Sequence, residues 1–447
     1  MAARPPPALP DELVEAILAR IPPDDPARLA RAAVACKRWC RLVSGPGFRR
    51  RFRELHPTPP VLGFLRSGFD RNDGAGTLRF VPAAGWSFLR PRAERRGWRA
   101  LDSRAGRVLL RRDPWWYDSA DAEADAPTLA VWDPVADDLR VLPAPPRLPD
   151  LDVFNAAVLC AAATTGCCGH IDCRREPFLV VFVAARRAGT FAYVYASEAD
   201  AWSEPTSAPH SALLSNGVRG AHVGNALYFV CKVTTMTRIL RYDLGTGEMA
   251  VIRAPPDSKE PIVLTTAEGG GLGCVTIKGY GLYLWSRGPD ANGDMRWTPS
   301  SVIELKTVFP DGALLLSFDV VSFGDGGGMV YLGTDGVSYI ADLKSWRLRK
   351  AEGVTGTEGI IPYYISFYTP ALGRLGVAST VPKYGNCRNI DQSARGEPKG
   401  DLSAVGEPIA HVELMWQNNL PAEGGVGADR TYRLSGGRMA YRPTNSR

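Results

Sequence analysis

The first sixty residues place apolar side chains at helical spacing. Two stripes lie side by side on the first predicted helix: Leu13, Ile17 and Ile21 form one, and Val14 and Leu18 form the other. Pro10 and the two acidic residues after it are a typical helix start, and Pro22-Pro23 ends the helix. Together the stripes are wider than the single face that a small core needs.

Two further helices are predicted downstream. Asp25 is a suitable N-cap and Pro26 a suitable first residue for the second helix. Its apolar residues are Leu29, Ala33 and Cys36. The third helix carries Trp39, Leu42 and Val43 and stops near Gly45-Pro46-Gly47, and Phe48, Phe52 and Leu55 follow as a short apolar face. Three short helices bury little surface alone, so the apolar surplus predicts either a partner protein or packing as a cap on the next domain.

From about residue 60, short alternating apolar runs are separated by Gly, Pro and Asp, which is typical of strands. This region has no helical periodicity. Nine of the predicted strands are segments 107–110, 128–132, 178–182, 192–195, 226–231, 239–242, 281–285, 328–332 and 337–341. The chain is therefore predicted to be multidomain, with a small all-α module followed by a mainly-β domain.

A loose repeat runs through the β region. An aromatic or apolar pair, then Asp or Ser, then a turn, recurs at Asp133, Ser197, Asp243, Ser286 and Asp342, with spacings of 64, 46, 43 and 56 residues. A period near fifty is typical of kelch-type propeller blades. Residues 327–346 make the best single unit, in which Trp346 is expected to pack between neighbouring blades. With strands expected in 61–91 and 360–368, the repeats predict a β-propeller of about six blades; an array of β-sandwiches is the alternative.

The net charge of +6 is unevenly distributed. Residues 1–112 carry 23 Lys or Arg against 10 Asp or Glu, a net charge of +13, and the remainder carries −7. A basic segment can bind nucleic acid. Here the basic residues alternate with apolar ones, as on solvated faces, and no basic run is interleaved with stacking aromatic residues. The pattern does not favour a nucleic-acid partner, and Arg49–Arg51 is interpreted as a solvated helix face rather than a nuclear address.

Cysteine usage indicates the compartment. The nine cysteines are an odd number at irregular spacing, which predicts free thiols in a reducing compartment, the cytoplasm or the nucleus. Residues 1–10 lack the apolar core of a signal peptide. No run of eighteen apolar residues is present in the sequence, so no membrane partner is expected.

Few residue patterns suggest catalysis or a cofactor. Segment 167–173 contains three cysteines and a histidine, which zinc prefers as ligands, but no second ligand pair follows and a hairpin loop is the preferred interpretation. The Gly-rich segments 268–273 and 324–328 each lead into a predicted strand, whereas phosphate-binding loops lead into a helix. The five histidines are isolated and no nucleophile motif is present. Neither catalytic residues nor a cofactor are expected.

The helical segment resembles the F-box motif. The resemblance rests on Leu9-Pro10, Leu13, Ile17-Leu18, Ile21-Pro22-Pro23 and Cys36-Lys37-Arg38-Trp39. Two positions depart from the motif, since Pro26 and Ala35 stand where larger apolar residues are usual. Residues 60–372 resemble, more weakly, the F-box-associated β domains of plant proteins, in phrases such as ALDSRAGRVLL and VWDPVADDLRVLPAPP.

The resemblance implies a non-catalytic substrate receptor that docks on the SKP adaptor of an SCF-type, cullin-based ubiquitin ligase and binds a target protein through its β domain. The positions implied for adaptor contact or for the module core are Leu9, Pro10, Leu13, Ile17, Leu18, Ile21, Pro22, Leu29, Cys36, Lys37, Trp39 and Leu42. The alternatives are an interaction scaffold with a degenerate F-box and a propeller-based enzyme. The expected organisation is a flexible N-terminus at 1–8, the F-box domain at 9–56, the β domain at 60–372 and a largely flexible region at 373–447.

Overall fold

The computed structural model describes residues 9–364 with gaps. The gaps are 24–25, 57–60, 70–75, 83–94, 113–126, 135, 147–152, 166–172, 174–175, 188, 210, 216–217, 235, 257–261, 268, 291, 309–318, 324–328, 335–336, 343–347 and 351–359. The termini expected to be flexible, most of the Cys-rich segment, the second Gly-rich segment and Trp346 lie outside the described residues. The predicted domain limits stay predictions.

Four short helices open the described chain: α1 (Asp11–Leu18), α2 (Pro26–Ala35), α3 (Lys37–Ser44) and α4 (Pro46–Leu55). The expectation that the second helix carries Cys36 was wrong. Cys36 has an extended backbone and its Sγ accepts a hydrogen bond from the Trp39 N–H at 3.5 Å, so it caps α3 instead. The first helix also ends earlier than Pro22, because the N–H groups of Arg20 and Ile21 bond three residues back and tighten the last turn.

One of the two apolar stripes of α1 enters the core of the helical module. The buried core residues are Val14, Leu18, Ala19, Leu29, Ala33, Val43, Phe48 and Phe52. Leu13 and Ile17, on the neighbouring stripe, are exposed. The expected final apolar face is a complete helix, α4, which begins at Pro46 and buries Phe48 and Phe52.

The β domain is built from antiparallel sheets. Its first strands are β1 (Val61–Phe69), β2 (Gly76–Pro82) and β3 (Arg95–Arg96). Sheet 1 contains β4 (Trp98–Arg104), β5 (Arg107–Arg112), β6 (Leu129–Asp133) and β7 (Asp138–Val141). Sheet 2 contains β8 (Val153–Cys160), β9 (Phe178–Arg186), β10 (Gly189–Ala196), β11 (Ala201–Trp202) and β12 (Thr206–Ala208). A 3₁₀ turn, Ala161–Thr165, follows β8.

The remaining sheets follow in chain order. Sheet 3 contains β13 (Leu213–Leu214), β14 (Ala221–Val223), β15 (Ala226–Val233), β16 (Met236–Asp243) and β17 (Met249–Arg253). Sheet 4 contains β18 (Ile262–Thr266), β19 (Leu272–Lys278), β20 (Gly281–Pro289) and β21 (Met295–Glu304), and the single-turn α5 (Leu305–Val308) follows it. Sheet 5 contains β22 (Asp319–Phe323), β23 (Met329–Thr334), β24 (Val337–Asp342) and β25 (Leu348–Lys350).

The last strand, β26 (Ile360–Tyr364), closes the domain. It pairs antiparallel with β1, with Leu65 opposite Ile361, and completes sheet 6 with β1–β3. Contacts between neighbouring sheets run from β26 to β4, from β4 to β8 and from β8 to β13. Sheet 3 then contacts β18 through β14 and β15, β18 contacts β22, and β22 contacts β26. Six sheets therefore form a ring in the described part of the chain. The predicted β-propeller is confirmed, and the β-sandwich array is excluded.

The sequence repeat coincides with the third strand of each sheet in which a marker was identified, where the strands of sheet 3 are counted in the pairing order β13, β15, β16 and β17. Asp133, Asp243 and Asp342 end β6, β16 and β24. Asp243 shows why this position favours aspartate: its Oδ1 accepts hydrogen bonds from the N–H groups of Gly245 and Thr246 at 3.0 and 3.1 Å. These bonds hold the pKa of the Asp243 carboxyl below its usual range, the Thr246 bond most of all, and close the hairpin to the fourth strand.

Tryptophans on outer strands tie neighbouring sheets together. Trp202 on β11 donates its Nε1–H to the carbonyl of Pro143, which follows sheet 1, at 3.0 Å. Trp297 on β21 donates to the carbonyl of Arg253, the last residue of sheet 3, at 2.8 Å. The inter-blade role expected of a Trp in the repeat is thus seen at these two positions.

A buried ionic cluster joins the first three sheets. Asp102 on β4 is fully buried, and its carboxylate lies 2.5 Å from Arg104 Nη1 and 2.6 Å from Arg219 Nε. The same carboxylate accepts the N–H of Val158 on β8 at 2.9 Å. Arg104 also donates to the carbonyl of Gly220, just before β14. One carboxylate thus satisfies groups from three consecutive sheets.

We expect Asp102→Asn to destabilise the β domain by about 3–5 kcal/mol, because it leaves two buried guanidinium groups without their shared counter-charge. The measurement is the shift in chemical-denaturation midpoint. The control is Arg296→Gln, which removes the exposed partner of Asp290 (2.6 Å) and should change stability by no more than about 1 kcal/mol. Equal effects of the two substitutions would contradict a structural role for the buried cluster.

The two stripes of α1 allow a matched comparison. Leu18→Ala should destabilise the helical module by about 2–5 kcal/mol, because Leu18 is buried and its loss leaves a cavity. Leu13→Ala, the same chemical change on the exposed stripe, should cost no more than about 0.5 kcal/mol. Amide hydrogen exchange in α1 measures both. A Leu13→Ala effect as large as that of Leu18→Ala would show that the outer stripe also belongs to the core.

Candidate docking surface on the helical module

The first helix presents an apolar stripe to solvent. Leu9, Leu13 and Ile17 are 51%, 53% and 56% exposed. Leu13 and Ile17 are four residues apart on α1 and therefore lie along one side of it, and Leu9 precedes the helix, beyond its N-cap Pro10. These half-exposed leucine and isoleucine side chains are left outside the core of the module, which makes them the candidate docking surface.

Arg38 on α3 fixes the start of this stripe. Its Nε lies 2.5 Å from Asp11 Oδ1, and its Nη2 donates to the carbonyl of Leu9 at 2.5 Å. Arg38 therefore attaches the first turn of α1, and the residue two places before it, to α3.

The other end of α1 is attached to α4. His56 Nε2 lies 2.9 Å from the carbonyl of Ala19, and the His56 and Phe52 rings pack with their centroids 4.5 Å apart. Phe52 in turn contacts Phe48, at 5.9 Å between ring centroids. With both ends held, α1 is a rigid support for its exposed stripe, which lowers the conformational cost of binding a partner.

The structure divides the twelve sequence-predicted positions by exposure. The exposed ones are Leu9, Pro10, Leu13, Ile17, Pro22 and Lys37; Ile21, Cys36, Trp39 and Leu42 are half-buried, and Leu18 and Leu29 are buried. The exposed set is concentrated on α1 and the segments that flank it. Leu55 at the end of α4 is also 51% exposed and was not among the predicted positions. Its apolar character was visible in the sequence, but its exposure was not.

Positive charge surrounds the stripe on the other helices. The exposed basic residues of α2–α4 are Arg28, Arg31, Lys37, Arg41, Arg50 and Arg51. The exposed acidic residues are Asp11 and Glu12, in the first turn of α1, and Glu54 on α4. The module therefore combines an apolar stripe with a largely basic surround, which suits a partner of complementary, acidic character.

The described residues also bear on the metal-site, thiol and glycine-rich candidates considered in the sequence. Its residues contain no group of three His, Cys, Asp or Glu side chains positioned to hold a metal ion. Burial raises the pKa of the Cys231 thiol to about 12, which keeps it protonated and weakly nucleophilic. Gly269–Gly271 form a turn that leads into strand β19. Among the described residues, no helix is long and apolar enough to cross a membrane.

Family models match both parts of the chain. Residues 7–54 match a model described as F-box-like. Residues 99–367, more than half of the chain, match a model described as "F-box protein AT5G49610-like, beta-propeller". No curated protein matches the chain.

Solved structures are similar only at low identity. TolB from Acinetobacter baumannii is 14% identical over 70% of this chain and 69% of its own, with a TM-score of 0.39. A structure from a study of two prolyl endopeptidases is 15% identical over 66% of this chain but 39% of its own, with a TM-score of 0.35. The β-propeller domain of the Trilobed protease from Pyrococcus furiosus is 10% identical over 65% and 79%, with a TM-score of 0.32. None of these carries an argument about function.

The helices that expose Leu13 and Ile17 lie within the F-box-like match, and sheets 1–5 lie almost wholly within the propeller match. The family resemblance expected from the sequence is thereby confirmed. The chain belongs to the plant-type F-box proteins that carry an AT5G49610-like β-propeller.

Proposed function

We propose that this protein is the substrate-recognition subunit of an SCF-type ubiquitin ligase. The helical module docks on an SKP adaptor, and the propeller holds the target protein. The observation that supports docking is the exposed stripe of Leu9, Leu13 and Ile17, which the module leaves outside its own core. The F-box-like match over residues 7–54 supports the choice of partner.

The stripe provides only part of the affinity. Burying the exposed half of each of three aliphatic side chains contributes about 1 kcal/mol apiece, whereas a micromolar complex needs about 8 kcal/mol. Further contacts must come from neighbouring predicted positions. Trp39 and Leu42, both half-buried on α3, are the best anchors because large, partly preorganised side chains dominate interface energies.

The receptor acts by position rather than by chemistry. Holding a target beside the ligase converts a bimolecular transfer of ubiquitin into an effectively intramolecular one. Such a role needs no acid, base or metal from this chain. We place the protein in the cytoplasm or the nucleus, and the free thiols of Cys36, Cys40, Cys231 and Cys274 agree with a reducing compartment.

The docking proposal predicts the behaviour of one double variant. Leu13→Asp with Ile17→Asp should reduce SKP adaptor binding at least a hundredfold, because adaptor contact would bury two unpaired carboxylates at several kcal/mol. Calorimetry or copurification with the purified adaptor measures the loss. The matched control, Val141→Asp with Met295→Asp, changes two β-domain residues that are 54% and 50% exposed and should leave adaptor binding intact.

Folding must be checked in the same samples, because loss of the module would mimic loss of the surface. Both stripe residues are exposed, so thermal unfolding of the free variant should match that of the natural chain. Undiminished adaptor binding by the folded stripe variant would overturn the docking model. Failure of the unmodified chain to bind the adaptor would instead favour the alternative of an interaction scaffold with a degenerate F-box.

A further inference from the structure

Exposed apolar side chains of the β domain are concentrated at one end of two sheets. The described β domain exposes six large hydrophobic residues, and four of them lie at the same end of sheets 3 and 4. These are Leu213, Met236, Tyr280 and Val302, which are 42%, 54%, 42% and 55% exposed. The other two, Val141 and Met295, lie on sheet 1 and at the opposite end of β21 from Val302.

The strand register places the sheet 3 residues together. Leu213 begins β13 and is paired with Lys232, near the end of β15. Met236 begins β16 and is paired with Val233, directly across the turn from β15. All of these residues therefore lie at the end of sheet 3 where β15 turns into β16.

The corresponding end of sheet 4 is built in the same way. Tyr280 occupies the turn from β19 to β20, where Lys278 pairs with Gly281. α5 folds back onto this turn, because the Leu305 N–H donates to the Tyr280 carbonyl at 2.7 Å. Val302 pairs with a residue at the start of β20. Sheets 3 and 4 are neighbours in the ring, in contact through β14, β15 and β18.

Lysines accompany these apolar side chains. Lys232, Lys278 and Lys306 are exposed, and Lys306 Nζ lies 4.0 Å from the centroid of the Tyr280 ring. Lysine is rare in this chain: nine of its 53 basic residues are lysines, and none occurs between Lys37 and Lys232. The one exposed carboxylate among the described residues of this end of sheet 4 is Glu304, which pairs with Gly281.

We infer that this set, Leu213, Lys232, Met236, Lys278, Tyr280, Val302 and Lys306, is the target-docking surface, and that it takes an acidic protein segment bearing an aliphatic or aromatic side chain. The name "lysine surface" is used for these seven residues. The apolar side chains provide burial, and the positive charge of the exposed lysines favours a negatively charged partner. Met236 adds adaptability, because an unbranched thioether can repack around different side chains. The inference rests on the proposed receptor function for its biological consequence, but not for the binding itself.

The composition of the lysine surface favours an acidic protein segment over other occupants. A single-stranded nucleic acid needs successive stacking platforms, and this surface offers one aromatic ring among three aliphatic side chains. A second copy of the chain, docked through the same patch by two-fold symmetry, would bring the lysines of both copies together. Like charges across an interface disfavour that pairing.

The test is selection from a random twelve-residue peptide library by the full-length protein bound to its purified adaptor. Enriched peptides should carry a net negative charge and at least one aliphatic or aromatic residue. A fluorescently labelled enriched peptide is then titrated by anisotropy. Lys278→Glu with Lys306→Glu should weaken its binding at least tenfold, and added salt should weaken binding to the unmodified surface. Tyr280→Ala should weaken binding several-fold by removing the central ring.

Two controls give the result its meaning. Val141→Asp with Met295→Asp, outside the lysine surface, should leave peptide affinity unchanged. Adaptor binding is measured for every variant. If the Lys278→Glu, Lys306→Glu variant keeps both its adaptor binding and its peptide affinity, the lysine surface is overturned and the adaptor-docking proposal is not. Loss of adaptor binding in the stripe variant bears on the proposed function separately. Enrichment of basic peptides, tighter binding of single-stranded DNA than of any peptide, or self-association abolished by the lysine substitutions would each overturn the inference.

Discussion

The antiparallel pairing of β1 with β26 is the constraint on which the β domain depends. It joins segments from the two ends of residues 61–364, so every intervening sheet must fit into one closed ring. Bringing such distant segments together costs loop-closure entropy, but that cost grows only slowly with chain length. The ring also removes the problem of an unmatched first and last sheet, since β22 and β4 both contact β26. Local features such as the Asp102 cluster and the Trp202 hydrogen bond then set the spacing between neighbours.

The turns after the second and third strands of a sheet differ in the side chains that they require. Turns after the third strand carry the repeated aspartate, which uses its carboxylate to satisfy the turn's own N–H groups, as Asp243 does. Turns after the second strand have no such requirement. They are therefore free to carry Met236 and Tyr280, whose side chains are exposed. The repeat that identifies the fold and the surface proposed for the target accordingly lie on different turns of the same sheets.

Much of the fold could be predicted from local sequence, and the parts that could not depend on tertiary contacts. Strand positions followed from alternation, and the sixth sheet followed from strands left over at both ends of the repeats. The boundary at Cys36 was missed because a thiol cap leaves no periodic signal, and the Arg38–Asp11 pair joins residues 27 positions apart. On α1, periodicity revealed two stripes but could not tell which one is buried, since Leu13 and Leu18 are the same residue type. Only the packing of α2, α3 and α4 decides between them.

The proposed receptor role, which links an adaptor to a target, needs two separate surfaces that the protein's own folding leaves exposed. The helical module leaves Leu13 and Ile17 exposed although it buries Val14 and Leu18 beside them, and the propeller leaves Met236 and Tyr280 exposed although it buries most other residues of that size. In each place charged groups lie close by, Asp11 with Arg38 on the module and Lys306 over Tyr280 on the propeller. Such charges limit indiscriminate hydrophobic association and favour partners with complementary charge. An enzyme acting alone would need only one of these surfaces, whereas a receptor that links an adaptor to a target needs both.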